Sequence, residues 1–288
     1  MASVKDLKTS IQSVQSTKRI TAAMKMVAAA KLKRATDTVE ESRPYSTALG
    51  AMLRNLVSAS ISTNPLMVGT GSDTTHLFVI VASDRGLCGG FNGNLARKVI
   101  ADVHASEAQG KTVKLLLVGR KAVSTLRSAM GDRIVEVYED LNKPSPEYSH
   151  ADTVAQKVLS LFNDGAFDVC SIYSNVFVNA LTQIPTASQL IPLSVSDTTA
   201  DTTQALYEYE PSEDAILDAV LPKNISVQIF SAMLESFAGE QAARMTAMDN
   251  ATNNASDLIH SLRIQYNRTR QAQITNELIE IISGAEAL

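Results

Sequence analysis

Ser83-Asp84-Arg85-Gly86-Leu87-Cys88-Gly89-Gly90-Phe91-Asn92-Gly93 is the stretch of this 288-residue chain that comes nearest to a binding loop. A glycine-rich loop between a strand and a helix cradles phosphate when its amides converge at the helix start. Here the glycines are not spaced G-x-G-x-x-G, and no Lys-Ser/Thr pair closes the loop as in a P-loop. The loop therefore reads as a tight turn in which glycine lets backbones pack closely. Cys88 is its one candidate nucleophile, and no histidine lies near it in sequence. His76, His104, His150 and His260 are scattered, and with Cys88 and Cys170 they match no metal spacing. Nothing suggests a Ser-His-Asp arrangement, so neither a metal nor a cofactor is expected.

The elements around this loop alternate. His76 to Ala82 and Val113 to Val118 are short, β-branched apolar runs, as in buried strands. Arg133 to Tyr138 and Phe167 to Ser174 read as two more strands. Leu181 to Ser194, broken by Pro185 and Pro192, suits a sheet edge. Helical patterns separate them over Asn92 to Ala108, Arg120 to Met130 and Tyr148 to Phe162. Asn92 or Asn94 is the expected N-cap of the first, and Gly131 the stop of the second. The alternation predicts an α/β domain over residues 76–200 with a largely parallel, Rossmann-like sheet.

Glycine and proline are nearly absent from both ends. Residues 1–57 hold only Gly50 and Pro44, and residues 212–283 only Gly239 and Pro222. Both ends are therefore expected to be long helices, over 1–57 and 208–285, with an exposed linker loop over 58–75. A kink or local end is expected at Pro44, and a kink or restart at Pro222. Val4, Leu7, Ile11, Val14, Thr21, Ala28, Leu32, Ala35 and Val39 recur at steps of three and four, a coiled-coil seam interrupted by Lys18 and Lys25. The steps recur through Met245, Met248, Thr252, Ala255, Ile259, Leu262, Tyr266 and Thr269. Small residues such as Ser236, Gly239 and Ala243 leave room for a close partner. The terminal helices are expected to pair with each other as a coiled coil; if they run antiparallel, the longer one leaves a single projecting excess. The C-terminal helix is longer by about 18 residues, or about 27 Å. Its excess forms a lone tip with an apolar face of Ile274, Leu278, Ile281 and Ile282, which something else must surround.

The bulk numbers exclude several classes. A formal charge of −4 does not suit a nucleic-acid binder, although Lys5, Lys8, Lys18, Arg19, Lys25, Lys31, Lys33 and Arg34 make the first helix basic. No apolar run approaches the ~18 residues of a membrane span. The two distant cysteines suit reduced thiols.

Four stretches resemble the γ subunit of F-type ATP synthases. They are Ile20-Thr21-Ala22-Ala23-Met24-Lys25-Met26-Val27-Ala28-Ala29-Ala30-Lys31, the loop from Ser83 to Asn92, Gln241-Ala242-Ala243-Arg244-Met245-Thr246-Ala247-Met248, and the run from Tyr266 to Leu278. The resemblance spans the chain. It implies a non-catalytic rotor shaft inside a ring of three α and three β subunits. The foot of the shaft would rest with ε on a c-ring, and the catalytic sites would lie on β. Met24, Arg244, Gln271, Thr275 and Glu277 then fall where the family tunes coupling. Arg270 and Gln271 fall where the shaft meets a β loop, and Lys18 and Lys25 face acidic β segments. Ile274, Leu278, Ile281 and Ile282 would turn in an apolar sleeve. Tyr207, Glu208 and Tyr209 would lie near ε and the c-ring. The implied location is peripheral, on the cytoplasmic face of a bacterial inner membrane, or the matrix face if mitochondrial. The direct Met1-Ala2-Ser3 start points to the bacterial case. The readings that compete with this are a nucleotide-binding α/β enzyme with a coiled-coil scaffold, and a basic-helix nucleic-acid binder.

Overall fold

Ser3 starts the first helix with a reciprocal cap: its hydroxyl accepts from the Asp6 amide at 3.2 Å, and its amide donates to the Asp6 carboxylate at 3.2 Å. In the computed structural model, which describes residues 3–59, 64–193 and 213–286, α1 then runs over Val4–Ala59. The other long helix, α6, covers Glu213–Glu286. Between them lie α2 (Pro65–Val68), β1 (Thr75–Val81), α3 (Phe91–Ala108), β2 (Thr112–Val118), α4 (Arg120–Met130), β3 (Ile134–Tyr138), α5 (Tyr148–Asn163), β4 (Val169–Phe177) and β5 (Gln183–Ile191).

The chain forms two compact units, Met1–Ala29 with Arg244–Leu288, and Ala30–Ala243. The larger holds a five-stranded sheet of order β3-β2-β1-β4-β5. β1, β2, β3 and β4 run parallel, and β5 is an antiparallel edge. On one face, Leu77, Val79, Leu116 and Val118 meet α5 through Val154 and Val158, and α6 through Ile225, Ile229 and Met233. On the other, Phe78, Ile80, Leu115 and Leu117 meet Leu95 and Val99 of α3 and Leu126 of α4. Covering both faces is what a parallel sheet requires, and it explains the near-continuous apolar strands. In the same unit, Ala35 and Val39 of α1 pack on Leu234, Phe237 and Ala238 of α6, and Leu53 packs with Leu217 and Leu221.

The structure adds detail to these expectations. Helix α1 is not interrupted at Pro44, nor α6 at Pro222. A proline inside a helix costs about 3 kcal/mol. Burial of flanking side chains such as Val39, Leu53, Leu217 and Leu221 offsets this, each at roughly 1.5–3 kcal/mol. The 58–75 loop contains α2, capped by Asn64, whose carboxamide oxygen accepts from the Leu66 amide at 3.0 Å. The N-cap of α3 is Gly90, because Asn92 is engaged elsewhere. Gly131 does follow α4, but in right-handed geometry, and it opens a 3-10 turn over Gly131–Arg133.

In the smaller unit, α1 and α6 pair antiparallel. The Thr21 and Thr252 hydroxyls are hydrogen-bonded at 2.8 Å, and Lys25 donates to Asp249 at 2.7 Å. Leu7, Thr21, Ala28, Met248, Ala255 and Ile259 are buried. The opposed residue numbers 21 and 252, and 25 and 249, total 273 and 274. Val4, the first helical residue of α1, therefore lies opposite about Thr269, and α6 continues past it without a partner helix in this unit.

Candidate functional site

The glycine-rich loop is tied down by its own side chains. Asn92 accepts from the Ser83 amide at 3.1 Å and donates to the Ser83 hydroxyl at 2.8 Å and the Cys88 thiol at 3.3 Å. Cys88 is buried within this web. One Asp84 carboxylate oxygen accepts from the Arg120 and Asp140 amides, both at 3.0 Å. Arg120 is the first residue of α4, so a protein carboxylate occupies the helix N-terminus where a phosphate would be welcome. Gly119, with φ +97°, brings the ends of β1 and β2 together; a Cβ there would stand 2.2 Å from the Ala82 carbonyl.

In open α/β sheets ligands bind at the switch point, here between β1 and β4 at their carboxyl ends. Helix α6 fills that place. The Ser236 hydroxyl donates to the Val81 carbonyl at 3.4 Å. A Cβ on Gly239 would lie 3.2 Å from the Phe91 ring and 3.3 Å from Gln183. The small residue at 239 is what lets the helix settle against this end of the sheet.

Among the described residues no group of three or more His, Cys, Asp or Glu could hold a metal ion. His76 pairs with Asp73 at 2.6 Å, and His104 lies 3.8 Å from Glu107. Burial pushes the Cys170 thiol well above its ordinary pKa, which keeps it protonated and unreactive. Asp168 clamps the entry to β1, accepting from the Thr70 hydroxyl at 2.7 Å, the Thr75 amide at 2.9 Å and the Thr74 amide and hydroxyl at 3.0 Å. These bonds hold its carboxyl far below the usual carboxylate range.

The helix pair gathers most of the other candidate residues. Lys18 and Met24 are half-buried. Lys25 forms its ion pair with Asp249, so its charge is answered within the chain. Arg244 is buried. The Arg270 guanidinium lies 5.9 Å from the centroid of the Tyr266 ring, in cation–π range. Gln271 is exposed and accepts through its carbonyl from the Thr275 hydroxyl at 3.0 Å. Glu277 accepts from Gln273 at 2.8 Å. Ile274 is 48% exposed, Leu278 54%, Ile281 68% and Ile282 57%. Tyr207, Glu208 and Tyr209 lie outside the described residues.

Sequence reasoning missed three things. One is Ile279, as exposed as its apolar neighbours. Another is the role of Asp249 as the partner of Lys25. The third is a groove of about 460 Å³ between α1 and α6, lined by Lys18, Arg19, Ile259, His260 and Arg263. His260 and Arg263 are one turn apart on α6, a spacing visible in sequence. Their meeting with Lys18 depends on the helix register, which is not.

A tightly packed α/β domain with its switch point filled, and a helix pair with an uncovered apolar end, define a mechanical subunit of a larger assembly. The ATP synthase family model matches residues 3–288. The chain is 51% identical to the ATP synthase gamma chain of Sinorhizobium medicae over 100% of both chains. It is 50% identical to that of Rhodospirillum rubrum over 100% of both. Among solved structures, it resembles a chain of the Tetrahymena thermophila mitochondrial ATP synthase central stalk/c-ring with a TM-score of 0.63. That match has 26% identity and covers 81% of this chain and 99% of that one. A chain of the Euglena gracilis mitochondrial enzyme shares the fold with a TM-score of 0.69 at 19% identity, over 99% of this chain and 94% of that one. The chain belongs to the ATP synthase gamma-chain family.

Proposed function

We propose that this chain is the non-catalytic central-stalk rotor of a proton-translocating F-type ATP synthase. It transmits proton-driven rotation of a c-ring to catalytic sites on β subunits. Its partners are the α and β subunits of the ring, an ε subunit and the c-ring. It takes no cofactor and no nucleic acid. It sits peripherally, on the cytoplasmic face of a bacterial inner membrane; no helix among the described residues is long and apolar enough to cross one.

The observation that carries this reading is the end of α6. From Gln271 to Ser283 every described residue is exposed, yet Ile274, Leu278, Ile279, Ile281 and Ile282 are large and apolar. A helix end of this composition belongs in a partner's apolar sleeve. Met24, Arg244, Arg270, Gln271, Thr275 and Glu277 are the proposed coupling and β-contact residues. Lys18 is offered to the ring, whereas Lys25 first serves its in-chain partner Asp249. Tyr207, Glu208 and Tyr209 are proposed to face ε and the c-ring. The residues 1–57 and 208–285 are the proposed shaft, 58–75 its linker and 76–200 the foot.

The test is complementation. Membranes lacking their own stalk subunit, supplied with this chain, are expected to regain a co-purifying catalytic ring and proton-driven ATP synthesis. Failure to co-purify with the ring, together with nucleotide binding by the isolated chain, would overturn the reading.

A further inference from the structure

Alanine crowds both helices of the smaller unit. Ala22, Ala23, Ala28 and Ala29 lie on α1, and Ala247, Ala251 and Ala255 on α6. Ala28 and Ala255 are buried. A knob this short fills only a shallow hole, and the same shape recurs about one turn away, so packing alone defines the axial register weakly. Two polar rungs define it sharply. The Thr21 and Thr252 hydroxyls meet at 2.8 Å, and one turn further along α1 Lys25 donates to Asp249 at 2.7 Å. A slide of about one turn sets Lys25 against Thr252 in one direction and against Met245 in the other. Either slide takes Asp249 from its partner. A polar residue in a coiled-coil seam sets register in this way, at some cost in stability.

We propose that Thr21, Thr252, Lys25 and Asp249 are positioning residues that lock α1 against sliding on α6, an inference that rests on the stalk reading above. Met24 adjoins Lys25 in the chain, and Arg244 lies on α6 just over one turn before Asp249. The register therefore fixes the heights at which these two proposed coupling residues stand relative to each other. Two rods free to slide bend separately, whereas two rods pinned side by side bend as one. The rungs make the helix pair one stiff body under load. This gives Lys25 a role different from contact with an acidic segment outside the chain, because its charge acts through Asp249. The ion pair is half-exposed, so it adds little to stability and acts by discriminating between registers.

The experiment exchanges the two charges in the assembled complex. Lys25→Asp alone and Asp249→Lys alone are each expected to lower the protons pumped per ATP hydrolysed several-fold. The two together are expected to restore it. A carboxylate outside the chain would still meet the reversed charge at position 25, so an exchanged pair as poor as Lys25→Asp would overturn the proposal. Single variants that pump as well as the unmodified chain would overturn it too. Register is read separately in the isolated full chain. The numbers of Val14 and Ile259 also total 273, like those of Thr21 and Thr252. Val14→Cys with Ile259→Cys is therefore expected to form a disulfide under copper–phenanthroline, and Val14→Cys with Leu262→Cys to form several-fold less. Adding Thr21→Val, Thr252→Val, Lys25→Gln and Asp249→Asn removes both rungs with little change of side-chain size. It is expected to raise the second yield towards the first. An unchanged ratio of yields would overturn the lock, even where the charge-reversed chains fail to assemble. Loss of ring co-purification by the otherwise unmodified chain would instead reject the stalk reading and leave the cysteine result standing.

Discussion

The two units of this chain manage their surfaces in opposite ways. In Ala30–Ala243 the apolar side chains are buried on both faces of a sheet, and many charges are met nearby, as in Arg133–Glu107, Lys111–Asp73 and Lys157–Glu136. In the helix pair of the other unit, the seam is polar in places, the apolar end of α6 is uncovered, and among the described residues no ion pair is formed by Lys18, Arg19 or Arg263. The first pattern is that of a part that folds on its own account. The second is that of a part completed by others. A sequence spends isoleucine on an exposed helix face when some surface outside the chain receives it.

Substitutions should separate the two regions. The largest effect is expected in the sheet. Leu116→Ala, at a position buried on both flanks, should cost about 2–5 kcal/mol in denaturant unfolding. A cost below about 1 kcal/mol would mean that the sheet is not the stabilising core.

Asp168 comes next. Its folded pKa is lowered by hydrogen bonds from Thr70, Thr75 and Thr74. Its contribution is therefore fully present above its unfolded pKa, near 3.9, and is lost as pH falls below that value. Asp168→Asn should cost roughly 1–2 kcal/mol at pH 7 and progressively less as pH falls from about 4 towards the strongly lowered folded pKa, so the cost at pH 3 is only moderately reduced, measured by chemical denaturation at both. An equal loss at the two pH values would show that charge is not what matters at this clamp.

The Lys25–Asp249 pair is half-exposed, so Lys25→Gln should change stability by less than about 1 kcal/mol. The smallest effect on folding is expected at the α6 end. Leu278→Ser with Ile281→Ser should leave the stability of the isolated chain within about 0.5 kcal/mol, while impairing ATP synthesis in the assembled complex. A large loss of stability there would mean that the end packs on its own chain after all.

What could be read from the residues follows the range of the interactions. The seam from Val4 to Val39, with its period of 3.5, and the short apolar runs of the strands are local patterns, and they appear in the structure nearly where the patterns place them. The lone apolar end followed from helix lengths alone, and α6 exceeds α1 by 18 residues (74 against 56). Pro44 and Pro222 left open whether each helix ends there, because local chemistry opposes a helix at proline while packing on distant residues favours it. Asn92 looked like a cap because a cap is local, whereas its partners Ser83 and Cys88 depend on how the loop folds back. The carboxylate of Asp84 at the start of α4, and the closure of the switch point by α6, needed the sheet order. The basic groove needed the register of two segments some 240 residues apart, since Lys18 and His260 share no local pattern.

The central claim is that the end of α6 is built for a surface outside the chain. Hydrogen exchange across residues 270–283, compared between the isolated chain and the assembled complex, tests it most directly. The account predicts rapid exchange in isolation and protection by at least about tenfold in the complex. Equal exchange in the two states would contradict it.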